Sequence, residues 1–394
     1  MSSVQTPYNF RPAQRIEQVS EYYFSKKLRE IAALNAAGRD IISLGVGGPD
    51  RPPRHSIIDT LCEQSRVESN HSYQSYVGIP ELRESMSAWY KRIYGAKFNP
   101  TNEIMPLIGS KEGIMHITMA FVNPGDGVLV PNPGYPTYSS VSNLAQAQIY
   151  KYDLKPENDW LPDFEALESL PLDKIKLMWV NYPNMPTGRN GSIELYEKLV
   201  AFARKHSIVV VNDNPYSRIL NPTPMSIMQV EGARECCIEL NSLSKSHNMA
   251  GWRVGMLVSN PTFVEWILRV KSNVDSGMFK PLQLAAAHAM TLGQEWNDEL
   301  NAEYGARRKV AEEIVAELGC TFDPKQVGLF LWCRIPDAEV SAEVLCDKIL
   351  DNARVFITPG FIFGDQGQRY IRISLCATQQ KMGEALERIR AAQI

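Results

Sequence analysis

The chain has 394 residues, and its 41 Lys and Arg nearly balance its 44 Asp and Glu, leaving a formal charge of −3. That balance, with no basic run anywhere, excludes charge-driven attachment to nucleic acid or an anionic membrane. No apolar stretch approaches the roughly 18 residues of a membrane helix, while the length allows a large core and two or three domains.

The opening Met1-Ser2-Ser3-Val4-Gln5-Thr6-Pro7 lacks a charged start followed by an apolar run, so the expectation is a soluble, unexported protein. Cys62, Cys236, Cys237, Cys320, Cys333, Cys346 and Cys376 are scattered, without a C-x-x-C pair. Reduced thiols in a cytoplasmic protein fit this pattern better than metal ligation.

Apolar positions at helical spacing (Ile16, Val19, Tyr23, Leu28, Ile31, Leu34) predict a helix over 14–36, stopped by Gly38. A short strand, Ile41-Ile42-Ser43-Leu44, follows. The middle of the chain alternates amphipathic segments with compact apolar runs at 127–130, 177–180, 208–211, 236–240 and 254–258. Such runs predict a mostly parallel sheet covered on both faces, an α/β three-layer sandwich. Beyond about residue 290 come a long charged helix (296–318), an apolar run (328–332), a helix near 341–352, a strand over 370–373 and a closing helix from Gln379. This predicts a smaller α+β domain. The expected division is an N-terminal arm and helix over 1–48 that packs with the small domain, a large domain over 49–289 and a small domain over 290–394.

Parallel strands deliver functional groups at their carboxyl ends. Four candidate strand ends carry such groups: Pro131-Asn132-Pro133-Gly134-Tyr135, Asn181-Tyr182-Pro183-Asn184-Met185, Asn212-Asp213-Asn214-Pro215-Tyr216, and Ser242-Leu243-Ser244-Lys245 followed by Gly251-Trp252-Arg253-Val254-Gly255. Pyridoxal phosphate chemistry needs a lysine to bind the aldehyde, a carboxylate to keep the pyridine nitrogen protonated and an anchor for the phosphate. Lys245, Asp213 and Arg253 can supply these in turn. Gly109-Ser110-Lys111-Glu112-Gly113 precedes a helical pattern, so its N–H groups and the Ser110 hydroxyl can meet a phosphate. Tyr135 can lie on the cofactor ring, and Tyr216 can donate to its phenolic oxygen. Singly, each has a plainer reading: a solvated turn around Ser-x-Ser-Lys, a turn initiator at Asp213, loop packing at Tyr135, a paired surface arginine at Arg372. Their joint order carries the argument.

These segments, with Tyr73-Gln74-Ser75-Tyr76-Val77-Gly78 and Arg372-Ile373-Ser374, resemble the fold type I aminotransferases of class I/II over about residues 20 to 390. The group most similar is that of LL-diaminopimelate aminotransferase. The resemblance implies pyridoxal 5'-phosphate as cofactor, an amino acid and a 2-oxo acid as substrates, and a homodimer with shared active sites. It implies that Lys245 binds the cofactor covalently and moves the substrate proton, with Asp213 on the pyridine nitrogen, Tyr216 on the phenolic oxygen and Tyr135 stacked. Ser110, Lys111, Ser242, Ser244 and Arg253 fall in the phosphate-binding segments, and Tyr73 matches a tyrosine that reaches the neighbouring subunit's phosphate. Arg372 matches the arginine that grips the substrate α-carboxylate, helped by backbone near Gly47.

One position departs from the family: Met185 stands before Pro-Thr-Gly where an asparagine is usual. Either Asn184 moves in, or the contact is missing and Tyr216 acts alone, which is the expectation. Tyr76 stands where diaminopimelate enzymes carry an acid for the distal ammonium, and Tyr22-Tyr23-Phe24 adds aromatic surface. The expected substrate is therefore a neutral apolar or aromatic amino acid. The alternatives are diaminopimelate itself, or a carbon–sulfur lyase or other pyridoxal enzyme of the same fold. Ser242-x-x-Lys245 as an acyl-hydrolase nucleophile lacks its companion motifs, and Gly45-Val46-Gly47-Gly48-Pro49-Asp50 is a poor dinucleotide loop. A transcription regulator would carry a basic module ahead of the first helix, where only about 20 residues stand.

Overall fold

The computed structural model describes residues 10–17, 19, 21 and 23–394. Along the chain the strands are β1 (Ile42–Ser43), β2 (Ile104–Leu107), β3 (Gly127–Asn132), β4 (Gln148–Asp153), β5 (Ile175–Val180), β6 (Val209–Asp213), β7 (Cys237–Ser242) and β8 (Gly255–Val258), then β9 (Thr321–Phe322), β10 (Phe330–Arg334), β11 (Val355–Phe356), β12 (Thr358–Pro359) and β13 (Tyr370–Ser374). Strands β2 to β8 form one sheet in the order β2-β8-β7-β6-β5-β3-β4. Neighbours from β4 to β7 are parallel, whereas β8 runs antiparallel to both β7 and β2. The sheet is thus mostly parallel, as its apolar runs indicate, with one reversed strand that the run at 254–258 gives no sign of.

Alternate residues of each strand enter two separate apolar layers. Val128, Val130, Leu177, Trp179 and Leu257 face a layer built with the helices Ser110–Phe121 and Pro261–Lys271. Leu129, Met178, Val180, Met256 and Val258 face the other, with the helices Pro80–Tyr94, Ile193–His206 and Lys280–Thr291. A sheet buried on both sides this way needs continuous apolar strands. The edge strand β4, Gln-Ile-Tyr-Lys-Tyr-Asp, is only partly buried and interleaves Gln148, Lys151 and Asp153 with its apolar residues, so it carries no such signal.

Strands β9, β10, β12 and β13 make a smaller antiparallel sheet, ordered β12-β13-β10-β9. The predicted helix over 14–36 divides into Gln14–Glu17 and Tyr23–Ala36. Ile31 and Ile41 pack on Leu350 and Phe356, and β1 pairs with β11 in a separate two-stranded sheet, so the N-terminal segment packs with the C-terminal part of the chain. The long helix is Gln294–Glu317, and the predicted 341–352 helix is Ala342–Lys348 followed by one wider turn, Ile349–Ala353.

Arg307 of the long helix clamps these parts together. It is 1% exposed, meets both Asp50 oxygens at 2.6 and 3.0 Å and Glu303 at 2.9 Å, and donates to the Leu375 carbonyl at 3.0 Å. Arg307→Met strands Asp50, and a buried pair broken on one side costs roughly 3 kcal/mol. Arg307→Lys recovers only part, since one ammonium cannot span a carboxylate in a fork. Urea unfolding checks this: an Arg307→Met variant within about 1 kcal/mol of the parent contradicts the clamp.

Candidate active site

The carboxyl ends of β2, β3, β5, β6 and β7 open into one cavity of about 540 Å³, lined by Ser110, Lys111, Tyr135, Asp213, Tyr216, Ser242, Ser244, Lys245, Arg253, Arg372 and Gly47 together. Arg253 comes from just ahead of β8, whose reversed direction puts its beginning at the end where the other strands finish.

Two glycines make this convergence possible. A Cβ on Gly109 would lie 2.0 Å from Arg253 Nη2, and Gly109 has φ +77°, which glycine alone adopts without penalty. A Cβ on Gly255 would lie 2.6 Å from the Ser110 nitrogen. The start of the helix Ser110–Phe121 therefore lies directly against Arg253 and the lysine loop. Ser242 caps the short helix Leu243–Ser246, accepting the Ser244 N–H at 3.0 Å and touching Ser244 Oγ at 2.8 Å. This turn holds Lys245, whose Nζ donates to the Gly47 carbonyl at 2.6 Å. Burial pushes the Lys245 amine below its ordinary value, favouring the neutral form.

Asp213 ends β6 and is buried. Its Oδ2 accepts from Tyr138 Oη at 2.9 Å, while its Oδ1 has no partner in the protein. Burial raises the carboxyl to about 6, partly offset by the Tyr138 hydrogen bond. Tyr138, stacked on Trp179 at 5.0 Å, lies one helical turn past Tyr135, and that spacing is the signal that could have revealed it. Asn181, also unassigned from sequence, donates to the Asp213 carbonyl and accepts from the Met185 N–H at 2.7 Å. Burial pushes the Tyr216 hydroxyl well above its usual range, and its ring meets Phe330 edge-on at 5.8 Å.

Arg372 enters from β13 and is 3% exposed. Its guanidinium lies 4.0 Å from the Phe330 ring centre, 4.6 Å from Phe363 and 5.3 Å from Phe24, and Nη2 donates to the Gly45 carbonyl at 2.7 Å. Met185 lines the cavity with its Sδ 3.3 Å from Arg372 Nη1. Asn184 stays in its turn, accepting from Thr187 Oγ1 at 2.8 Å, and does not enter the cavity. Phe24, Ser25 and Leu28 bring the N-terminal helix to the cavity mouth. Tyr22 lies outside the described residues. Tyr73 and Tyr76 are 91% and 44% exposed and do not line the cavity of their own chain.

The residues present fit pyridoxal phosphate. The unpartnered Asp213 Oδ1 suits a ring N–H, and Ser110, Lys111, Ser242, Ser244 and Arg253 gather donors for a phosphate. Among the described residues, Glu112, His116 and Asp275 form the one group with metal-ligand proximity, and the Lys271 ammonium already pairs with Asp275 there.

A model of the aminotransferase class I and II family matches residues 39–389. LL-diaminopimelate aminotransferase of Dehalococcoides mccartyi is 38% identical over 379 residues, covering 96% of this chain and 97% of that protein. The enzyme of the same name from Aquifex aeolicus is 39% identical, covering 97% and 99%. Among solved structures, substrate-bound BacF from Bacillus subtilis superposes with a TM-score of 0.92 at 35% identity, covering 98% of both chains.

The buried Asp213 gives a pH test. With the folded carboxyl at about 6 against an ordinary 3.8, the folded state holds the proton more tightly. This group therefore favours folding below about pH 4, and that contribution fades as pH rises through 6, a swing of roughly 3 kcal/mol. In cofactor-free protein, Asp213→Asn is expected to be more stable than the parent at pH 8 and no more stable near pH 4. Denaturation curves at both pH values check it, and an equal difference at the two rejects the burial argument.

Proposed function

The chain belongs to the class I and II aminotransferases, and on that premise we propose how its own residues move an amino group from an L-amino acid to a 2-oxo acid. Bound in the cavity, pyridoxal phosphate supplies the electron sink for the pair released when the substrate Cα–H bond breaks. Lys245 would hold the cofactor covalently, and its Nζ is placed to take the substrate Cα proton, a role helped by burial, which lowers the amine below its ordinary value. Asp213 Oδ1 would accept from the ring nitrogen, with Tyr138 and Asn181 fixing the position of Asp213. Tyr135 would pack on the ring, Tyr216 would donate to the phenolic oxygen, and Ser110, Lys111, Ser242, Ser244 and Arg253 would grip the phosphate. Arg372 takes the α-carboxylate as a fork. The observation that carries this reading is the single cavity that gathers all of these groups.

Borohydride reduction of the yellow protein should label Lys245, and a label elsewhere would overturn the assignment. Arg372→Ala should cost about ten- to a hundredfold in amino-acid binding, the loss of a charge-assisted contact of roughly 1.5–3 kcal/mol. Lysine at 372 should not rescue fully. Unchanged kinetics with free amino acids would reject this role.

For the substrate side chain we infer a neutral apolar or aromatic group. Phe24, Leu28, Val46, Met185, Phe330 and Phe363 line the cavity, and Asp213 is the one carboxylate among its described lining residues. The names of the relatives favour the second reading, diaminopimelate. Its distal ammonium would then be received by groups outside this chain's own lining. A screen of amino acids including diaminopimelate, scored by kcat/KM at fixed 2-oxo acid, separates the two. Diaminopimelate ahead of every neutral candidate by about tenfold, or 1.4 kcal/mol, would establish the second reading.

The exposed Tyr73 supports a homodimer in which each subunit's Tyr73 and Tyr76 reach the other's cavity. Tyr73→Phe should then weaken cofactor binding about tenfold, the loss of one charge-assisted hydrogen bond. Light scattering that finds a monomer with full cofactor affinity would reject it.

A further inference from the structure

A second cleft, of about 410 Å³, is lined by two arginines, Arg92 and Arg218, and the amides of Asn221, Gln294, Asn297 and Asn301. Among the described residues it shares no lining residue with the catalytic cavity. Arg218 is 4% exposed, and among the described residues its side chain hydrogen-bonds only to the neutral Gln294 Oε1, at 3.0 Å, with Asp298 acting on its charge without an ion-pair contact. Arg92 donates to the Met290 and Leu292 carbonyls at 2.5 and 3.4 Å. Among the described residues neither guanidinium makes an ion pair. The acid bordering the cleft, Asp298, is exposed and accepts from Gln294 Nε2 at 2.8 Å. His247 adds no further positive charge, since burial, with Arg218 and Arg92 adding to it, lowers it to about 3.

An arginine cannot shed its proton to escape burial, and a buried charge without a partner is costly. The long helix Gln294–Glu317 also begins here, and Gly293 gives it no side-chain cap, so its positive end adds to the field of the two arginines. The cleft therefore presents two guanidinium forks and a helix start, bordered by amides of which Asn221, Gln294 and Asn301 already donate within the protein, with the exposed Asp298 on its rim and Glu295 in the first turn of the same helix. That is the chemistry of an oxyanion receptor.

We propose that this cleft binds a small oxyanion, a phosphate- or carboxylate-bearing metabolite, between Arg218 and Arg92. The site adjoins the catalytic machinery through the backbone. Trp296, in the first turn of the long helix, donates from Nε1 to the carbonyl of Ser246 at 2.9 Å, and Ser246 directly follows Lys245. Arg218 likewise stands two residues past Tyr216. Neither the choice of amino acid nor the dimer enters this inference.

Calorimetry and thermal melting of the holoenzyme test it, with the cofactor already filling the phosphate clamp of the catalytic cavity. Inorganic phosphate and succinate, each at chloride-matched ionic strength, are the two probes. At least one should bind saturably and raise the melting temperature by roughly 2 °C or more, and the stronger probe assigns the ligand to phosphates or to carboxylates. Asn297→Asp places a carboxylate in the cleft at a first-turn position where acids favour the helix, so it should fold well and weaken probe binding at least tenfold. Arg92→Gln should weaken it similarly. Arg372→Ala, which disables the substrate-carboxylate site, should leave it intact. No saturable binding by either probe overturns the proposal. So does binding that survives both Asn297→Asp and Arg92→Gln, or that vanishes only with Arg372→Ala.

Discussion

A sheet packed on both faces can present polar groups only where its strands end, and this constraint organises the molecule. Along β3, β5, β6 and β7 the side chains alternate between two apolar layers; Asn132, Asn212, Asp213, Asn241 and Ser242 bring polar groups to the strand ends, while the buried mid-strand Glu239 is satisfied by Tyr90, Asn212, Ser226 and the Ile227 N–H. Asp213 is the sharpest case, because it keeps a carboxylate inside the boundary of the core. Tyr138 satisfies one of its oxygens and the other is left open. A carboxylate half-satisfied in a dry place is disfavoured in isolation and is well matched to a cationic ring nitrogen. The local cost and the chemical purpose are one fact.

Much of this architecture is legible in the sequence because burial on both faces leaves uninterrupted apolar runs, and because glycine and proline punctuate the strand ends. The reversed direction of β8 is not legible: a run such as Val254-Gly255-Met256-Leu257-Val258 reads alike in either direction. The edge strand β4 is invisible for the opposite reason, since exposure on one side permits lysine, glutamine and aspartate. Most of the residues quoted from motifs gather at one cavity, Tyr73 and Tyr76 apart, while the motifs assign no role to Tyr138 or Asn181. They act on Asp213 rather than standing beside a motif lysine or arginine, and apart from the one-turn spacing between Tyr135 and Tyr138 only packing reveals such support. Met185 was visible as a departure, but its contact with Arg372 arises from β13, far along the chain.

The two halves of the chemistry come from different layers. The proposed cofactor groups stand on the large sheet, and the groups around Arg372 come from the small sheet and the N-terminal helix. The aromatic rings of Phe24, Phe330 and Phe363 do two things at once: they hold the guanidinium through their faces and they make the surrounding wall apolar. Changes of side-chain preference can therefore accumulate on one layer while the other keeps the reaction.

The short segment from Leu44 to Gly47 joins these layers. The Gly45 carbonyl receives Arg372 and Thr358, the Val46 carbonyl receives Ser374, and the Gly47 carbonyl receives Lys245. Phe356 and Phe330 crowd the places where side chains on Gly45 and Gly47 would stand. Three consecutive carbonyls thus measure the spacing between the lysine and the carboxylate-binding arginine like marks on a ruler. Insertion or loss of one residue there would slip every mark at once, so the length of this segment is as tightly constrained as the identity of any side chain in the cavity.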